Sequence, residues 1–189
     1  MPDINSEFTD VVVDLETLGT VPGCAIVSIG AVALNEFGVD TVGFYRAIEI
    51  PDWDTSGLTP DGLHKDEHTI EWWKGQSPAA LKVFHEGRLT TRQAISDLAS
   101  YIASLGKPRV WGNGADFDNA IIAVAAHTVG IKPKDVWGSY DGRCYRTVKN
   151  QYKNIKLVRE GTYHNALDDA RSQAAHLVTI CQRRGWRLA

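Results

Sequence analysis

Hydrophobic positions open the chain as strands. Val11, Val12 and Val13 form a β-branched run after a polar lead-in, which predicts a buried strand reaching through Leu15 to Thr17. A turn over 19–23, with Pro22, leads to a second apolar run, Ala25 to Leu34, and another turn at 35–38 to a third over Thr41 to Ile50. Such short connections predict an antiparallel meander. The period then changes. Ser77-Pro78 reads as a helix start that runs to Gly87, and Thr90 with Gln93 reads as a capping box. Ile95, Leu98, Tyr101, Ile102 and Leu105 follow at helical spacing before Gly106 and Pro108.

Arg109 to Trp111 predicts a fourth strand, followed by a glycine-rich turn and an apolar helix through about His127. Val136-Trp137 is the candidate fifth strand. Helices are expected over Gly142 to Tyr152 and over Asn165 to Arg184, the last stopped by Gly185. This order describes one α/β domain over residues 1–189, with a mixed sheet and helices on both faces.

With 189 residues, 43% hydrophobic and 23% charged, the chain has the composition of a globular domain. It contains no 18-residue apolar stretch, and Met1 to Asn5 is no signal peptide, so a cytoplasmic protein without a membrane partner is expected. Cys24, Cys144 and Cys181 lack Cys-x-x-Cys spacing, which predicts reduced thiols rather than a zinc cage. The net charge of -3 conceals an asymmetry. Residues 1–70 carry thirteen acids against Arg46 and Lys65, whereas 143–159 carry Arg143, Arg146, Lys149, Lys153, Lys156 and Arg159 with no acid. A cation-collecting region beside a polyanion-collecting one fits this separation, as does a solvated basic face.

Asp14 and Glu16 end the first strand. Alternation puts them on one face, roughly 7 Å apart, with Leu15 on the other. Two desolvated acids there imply a hard divalent cation, although a lone Asp-x-Glu is also an ordinary solvated turn. Asp116 and Asp118 follow a strand through a glycine-rich turn, in the crevice where α/β sheets hold ligands. On the final helix the apolar stripe is Leu167, Ala170, Ala174, Leu177, Val178 and Cys181. Asp169 lies roughly 90° from its centre and Asp168 roughly 135°. Asp169 can lean over the core's edge, while Asp168 suits a first-turn acid facing the helix dipole. His164 stands just ahead of the Asn165 cap.

Together, Asp14-Leu15-Glu16-Thr17, Glu71-Trp72-Trp73, Trp111-Gly112-Asn113 through Phe117-Asp118-Asn119, and Arg159-Glu160-Gly161 with His164-Asn165-Ala166-Leu167-Asp168-Asp169 resemble the DEDDh 3′→5′ exonucleases. The superfamily includes the proofreading subunit of bacterial replicative polymerase. The chain is most similar to its small phage and bacterial branch, of exodeoxyribonuclease VIII and exoribonuclease type. The resemblance implies a ribonuclease-H-like fold: a mixed five-stranded sheet with three antiparallel strands leading. It makes Asp14, Glu16, Asp118 and Asp169 the carboxylates for two divalent metal ions, Mg²⁺ or Mn²⁺, and His164 the general base. Phe117-Asp118 matches the family's pair, leaving Asp116 as runner-up, as Asp168 is to Asp169.

The implied reaction removes nucleoside 5′-monophosphates from the 3′ end of single-stranded DNA or RNA. Thr17, Leu18 and Asn113 would contact the terminal nucleotide, and Lys149 and Lys153 the phosphates; a homodimer is compatible with the likeness. Trp53, Trp72, Trp73 and Trp111 offer either a stacking surface or core packing. Two rival readings are a catalytically silent nucleic-acid-binding module of the same fold, and a zinc peptidase using His64, Glu67 and His68 in a His-x-x-Glu-His pattern.

Overall fold

The computed structural model describes residues 8–114 and 116–188. In chain order the elements are β1 (Asp10–Thr17), β2 (Ile26–Leu34), β3 (Phe44–Ala47), a ribbon of β4 (Gly57–Leu58) and β5 (His64–Lys65), then α1 (Glu67–Lys74), α2 (Pro78–Leu81), α3 (Val83–Glu86), α4 (Thr91–Ser104), β6 (Arg109–Gly112), α5 (Asp118–Thr128), β7 (Gly142–Cys144), α6 (Tyr145–Gln151) and α7 (Ala166–Arg184). Among these residues the main sheet has five strands in the order β3-β2-β1-β6-β7. The three leading strands pair antiparallel, while β6 runs parallel to β1 and β7 parallel to β6. That is the expected mixed sheet.

Alternation along β1 divides the interior between the two faces. Val11, Val13 and Leu15 pack with Ile70 and Trp73 of α1, Ile95 and Leu98 of α4, and Ile121, Ile122 and Ala125 of α5. Val12 faces the other way, with Val32 and Leu34 of β2 and with Ala170, Ala174, Leu177, Val178 and Cys181 of α7. Asp14 and Glu16 share the parity of Val12, so the strand that builds the core also aims two acids at the first turn of α7.

Local signals start and stop most helices where the sequence predicts, although the helix expected from Ser77 to Gly87 is interrupted at Lys82 and divides into α2 and α3. Thr90 and Gln93 form a reciprocal capping box on α4, and Ser77 caps α2 ahead of Pro78. The Asn165 side chain accepts the Leu167 and Asp168 N–H groups of α7, and Gly185 ends that helix in the left-handed region at φ 61°. The third strand is shorter than the sequence suggests, four residues rather than ten, since Gly43 bends the chain at φ 69° just before it.

The fifth strand lies elsewhere than expected. Pro133–Asp135 forms a 3₁₀ turn that tucks Val136 into the core beside α5, and the edge strand is Gly142–Cys144. The helix expected from Gly142 consequently begins only at Tyr145. A second unpredicted unit is β4, β5 and α1. The backbone N–H of Asp66 donates to Leu18 O at 2.7 Å, and the N–H of Ala25 to His64 O at 2.8 Å, so this unit clamps the loop after β1. Trp73 completes the clamp: fully buried, it donates its indole N–H to Thr17 O at 2.8 Å.

Candidate active site

The acids converge where β1 leaves the sheet's pairing. The ladder with β6 extends only to Val12, so further along β1 the N–H of Leu15 has no strand partner on that side. The Asp118 carboxylate takes its place, with Oδ1 accepting from Leu15 N–H at 3.2 Å and Oδ2 from Asn113 N–H at 2.6 Å. Gly114, at φ 153°, makes the turn that lets α5 start here. Asp118 is thus a side chain fixed by β1 and β6 together, 1% exposed.

Across from it, Asp14 Oδ1 accepts from Gln173 Nε2 of α7 at 2.6 Å. Asp169, one turn before Gln173, comes from the same face of α7; its Oδ2 accepts the His164 backbone N–H at 3.2 Å, and its Oδ1 is paired with the Arg159 guanidinium. A carboxylate oxygen of Glu16, a ring nitrogen of His164 and a carboxylate oxygen of Asp169 all lie within 4.8 Å of one another. His164 is held with φ at 61°, an uncommon value for a non-glycine residue, and its ring meets Trp72 edge-on, with centroids 4.8 Å apart. These groups line a cleft of about 650 Å³, which also takes in Thr17, Thr20, Asp66, His68, Trp72, Asn113, Phe117 and Arg159.

Electrostatically the cleft holds an excess of negative charge. Burial, followed by the fields of Asp118, Glu16 and Asp169, holds the Asp14 carboxyl well above the usual carboxylate range. Burial raises Glu16 to about 8, helped by Asp169 and Asp118 and opposed by Arg159. Asp118 is pushed up to about 6, again by burial first. Asp169 is raised for the same reason, and burial lowers His164. Acceptors outnumber donors as well. Among the described residues none donates a hydrogen bond to Glu16, and the buried Asn113 Oδ1 and Gln173 Oε1 have no partner. Buried oxygens in surplus, with Arg159 acting on Glu16 and Asp169 and Arg146 on Asp118 as the nearby arginines, suit hard divalent cations.

Comparison with known proteins decides the family. A family model described as the 3'-5' exoribonuclease Rv2179c-like domain matches residues 9–181, a span containing every residue of the cleft. The chain belongs to that family. Its members are 3′-5′ exonucleases, and so is this protein. In fold it is similar to the nuclease domain of 3'hExo, a DEDDh family member, bound to rAMP, at 15% identity and a TM-score of 0.64, covering 96% of both chains. It is also similar to E. coli exonuclease I in complex with a 5cy-dA13 oligonucleotide, at 15% identity and a TM-score of 0.65, covering 93% of this chain and 40% of that one. The ribonuclease-H-like fold expected from the DEDDh resemblance is therefore borne out. No curated protein sequence matches the chain.

Within this exoribonuclease-like domain, Asp14, Glu16, Asp169 and His164 face one cleft, and Asp118 backs it from behind Leu15. Asp116 is exposed, which separates it from Asp118. Asp168 serves the loop instead. Its Oδ2 accepts the Thr162 N–H at 2.8 Å, and a Cβ at Gly161 would clash with it. Thr17 and Asn113 line the cleft, whereas the side chain of Leu18 is wholly buried among the core residues. Lys149 lies outside, its ammonium 5.4 Å from the Tyr145 ring centroid, and Lys153 is exposed.

Of the tryptophans, Trp73 and Trp111 are core, Trp53 stacks on Phe84, and Trp72, 46% exposed, faces the cleft. The zinc-peptidase pattern does not assemble. Asp66 caps α1, leaving His64 outside it on β5, and among the described residues the group close enough to share an ion is Glu16, His164 and Asp169. No helix among the described residues is long and apolar enough to cross a membrane. Two cleft residues escaped the sequence reading. Gln173 repeats Asp169 at i+4, a spacing that was available, while Arg159 appeared as one charge in a basic run and in the Arg159-Glu160-Gly161 motif, without a role in the cleft.

Proposed function

We propose that this cleft hydrolyses the 3′-terminal phosphodiester of single-stranded nucleic acid and releases nucleoside 5′-monophosphates, with RNA the first substrate to test because the family is described as exoribonuclease. The observation that carries the reading is the meeting of Asp14, Glu16 and Asp169 with the His164 ring at one cleft, with Asp118 behind them. The four carboxylates would hold two divalent ions, Mg²⁺ or Mn²⁺, which when bound supply positive charge to the reacting phosphate and the departing oxygen.

The protein's own residues supply the rest. His164 takes a proton from the attacking water at a ring nitrogen as the water oxygen bonds to phosphorus. The bond from phosphorus to the 3′ oxygen breaks, and solvent returns a proton to that oxygen. Burial, opposed by the field of Asp169, favours the neutral ring, the form a base needs. Thr17 and Asn113 border the terminal nucleotide, Trp72 presents an aromatic face toward its base, and Lys149 and Lys153 attract phosphates further along the strand.

The test is parallel digestion of matched RNA and DNA strands, each blocked in turn at the 3′ and 5′ ends, with Mn²⁺ present. Stepwise shortening that a 3′ block stops and a 5′ block does not is the expected result. Degradation insensitive to the 3′ block contradicts the reading.

A further inference from the structure

Arg159 lies between α6 and α7 and reaches into the cleft, where its guanidinium is bonded to Asp169 Oδ1. Its Cζ lies 5.0 Å from the centroid of the Tyr163 ring. The backbone beside it is anchored, since the Glu160 N–H donates to Ser172 Oγ of α7 at 3.1 Å, whereas the arginine side chain itself is 39% exposed. Asp169 Oδ2 already takes the His164 N–H. Both oxygens of Asp169 are thus engaged, one by the guanidinium, and a divalent ion held at this carboxylate comes close to Arg159, where a dication and a guanidinium repel each other strongly.

We propose that Arg159 competes with divalent cations for Asp169 and, once released, binds a phosphate of the 3′-terminal nucleotides. The inference rests on the exonuclease reading above and assigns that site a substrate-binding residue outside the carboxylates and His164. A guanidinium separated from its carboxylate, partly buried and anchored to a fixed backbone, needs another anion. The planar fork matches two phosphate oxygens. Charge loading and substrate binding are thereby coupled through one side chain, with Tyr163 as its resting surface.

The experiment compares the full-length wild type with Arg159→Gln and Arg159→Lys, using Mn²⁺ alone as probe and reading free Mn²⁺ by electron paramagnetic resonance without nucleic acid. Arg159→Gln should bind Mn²⁺ about two- to fivefold more tightly than wild type, with Arg159→Lys between them, as loss of a partly exposed ion pair implies. In oligonucleotide digestion at saturating Mn²⁺, KM for Arg159→Gln should rise about tenfold, as loss of a charge-assisted hydrogen bond implies, with a much smaller change in kcat. Equal Mn²⁺ affinity in all three proteins overturns the competition, and an unchanged KM overturns the phosphate contact. Mn²⁺ binding by none of them overturns the proposed function and this inference with it. Thermal melting within a few degrees of wild type shows that Arg159→Gln is folded, and Arg159→Lys carries the comparison if it is not.

Discussion

Gly30 and Ala166 touch backbone to backbone: a Cβ built at Gly30 would lie 2.2 Å from the Ala166 carbonyl oxygen. Gly30 is the residue paired with Asp14 across β1 and β2, and Ala166 opens α7, three residues before Asp169. A missing side chain on one strand thus sets how closely two carboxylates from opposite ends of the chain approach. Gly30→Ala should push the first turn of α7 outward, destabilise the fold by about 1–3 kcal/mol as overpacking does, and lower kcat/KM by more than its effect on folding explains. Melting curves and kinetics on the same preparation check this, and full activity in a folded Gly30→Ala protein would remove the contact from the account.

Gln173 is the only side chain among the described residues that donates to Asp14, and that hydrogen bond pulls the carboxyl back toward its ionised form. Gln173→Leu should therefore raise the pH needed for activity, moving the acidic limb of the rate profile upward, and lower the rate about tenfold or more, as loss of groups supporting metal ligands does. A profile superimposable on wild type would show that Asp14 needs no such partner.

Much of this site was legible because its spacing follows element periods. Asp14 and Glu16 stand two apart on a strand whose valines fix the parity, and Asp169 borders a stripe of apolar positions at helical spacing, so each acid's direction followed from its neighbours. The Thr90 and Asn165 caps were equally local. What escaped depended on distant partners. Gly142–Cys144 is short and largely exposed, and becomes a strand only because β6 offers an edge to pair with, while the more apolar Val136 belongs to the core beside α5. Arg159 reads as one charge of a basic segment until folding brings Asp169 against it.

Stability should respond to pH in a direction set by the raised acids. Glu16, at about 8 in the folded chain and near its ordinary value when unfolded, binds more protons folded than unfolded between about 4.5 and 8. The metal-free protein should therefore lose stability as pH rises through that window. Added Mn²⁺ should raise Tm more at pH 8 than at pH 5, because it favours the ionised acids. Glu16→Gln should flatten the metal-free pH dependence. A Tm independent of pH over this range in chelator, for wild type, would contradict the burial of these carboxyl groups in the folded chain.

Lys149 and Lys153 stand outside the cleft, on and just beyond α6, and are proposed to attract the strand upstream of the reacting end. Replacing both with alanine should raise KM at low salt and reduce the slope of log KM against log salt by about 1.4, two phosphates at about 0.7 each for a single strand. An unaltered slope would take them out of the substrate path.

The central claim is that acids from β1, α5 and α7 form one catalytic site with His164. The direct measurement is release of nucleoside 5′-monophosphate from a single-stranded oligonucleotide with Mn²⁺, by wild type, Asp14→Asn and His164→Ala, each verified as folded. The account predicts steady release by wild type that chelator abolishes, none detectable with Asp14→Asn, and a rate lowered about 10²- to 10⁴-fold with His164→Ala. Equal release by wild type and Asp14→Asn, or release persisting in chelator, would contradict it.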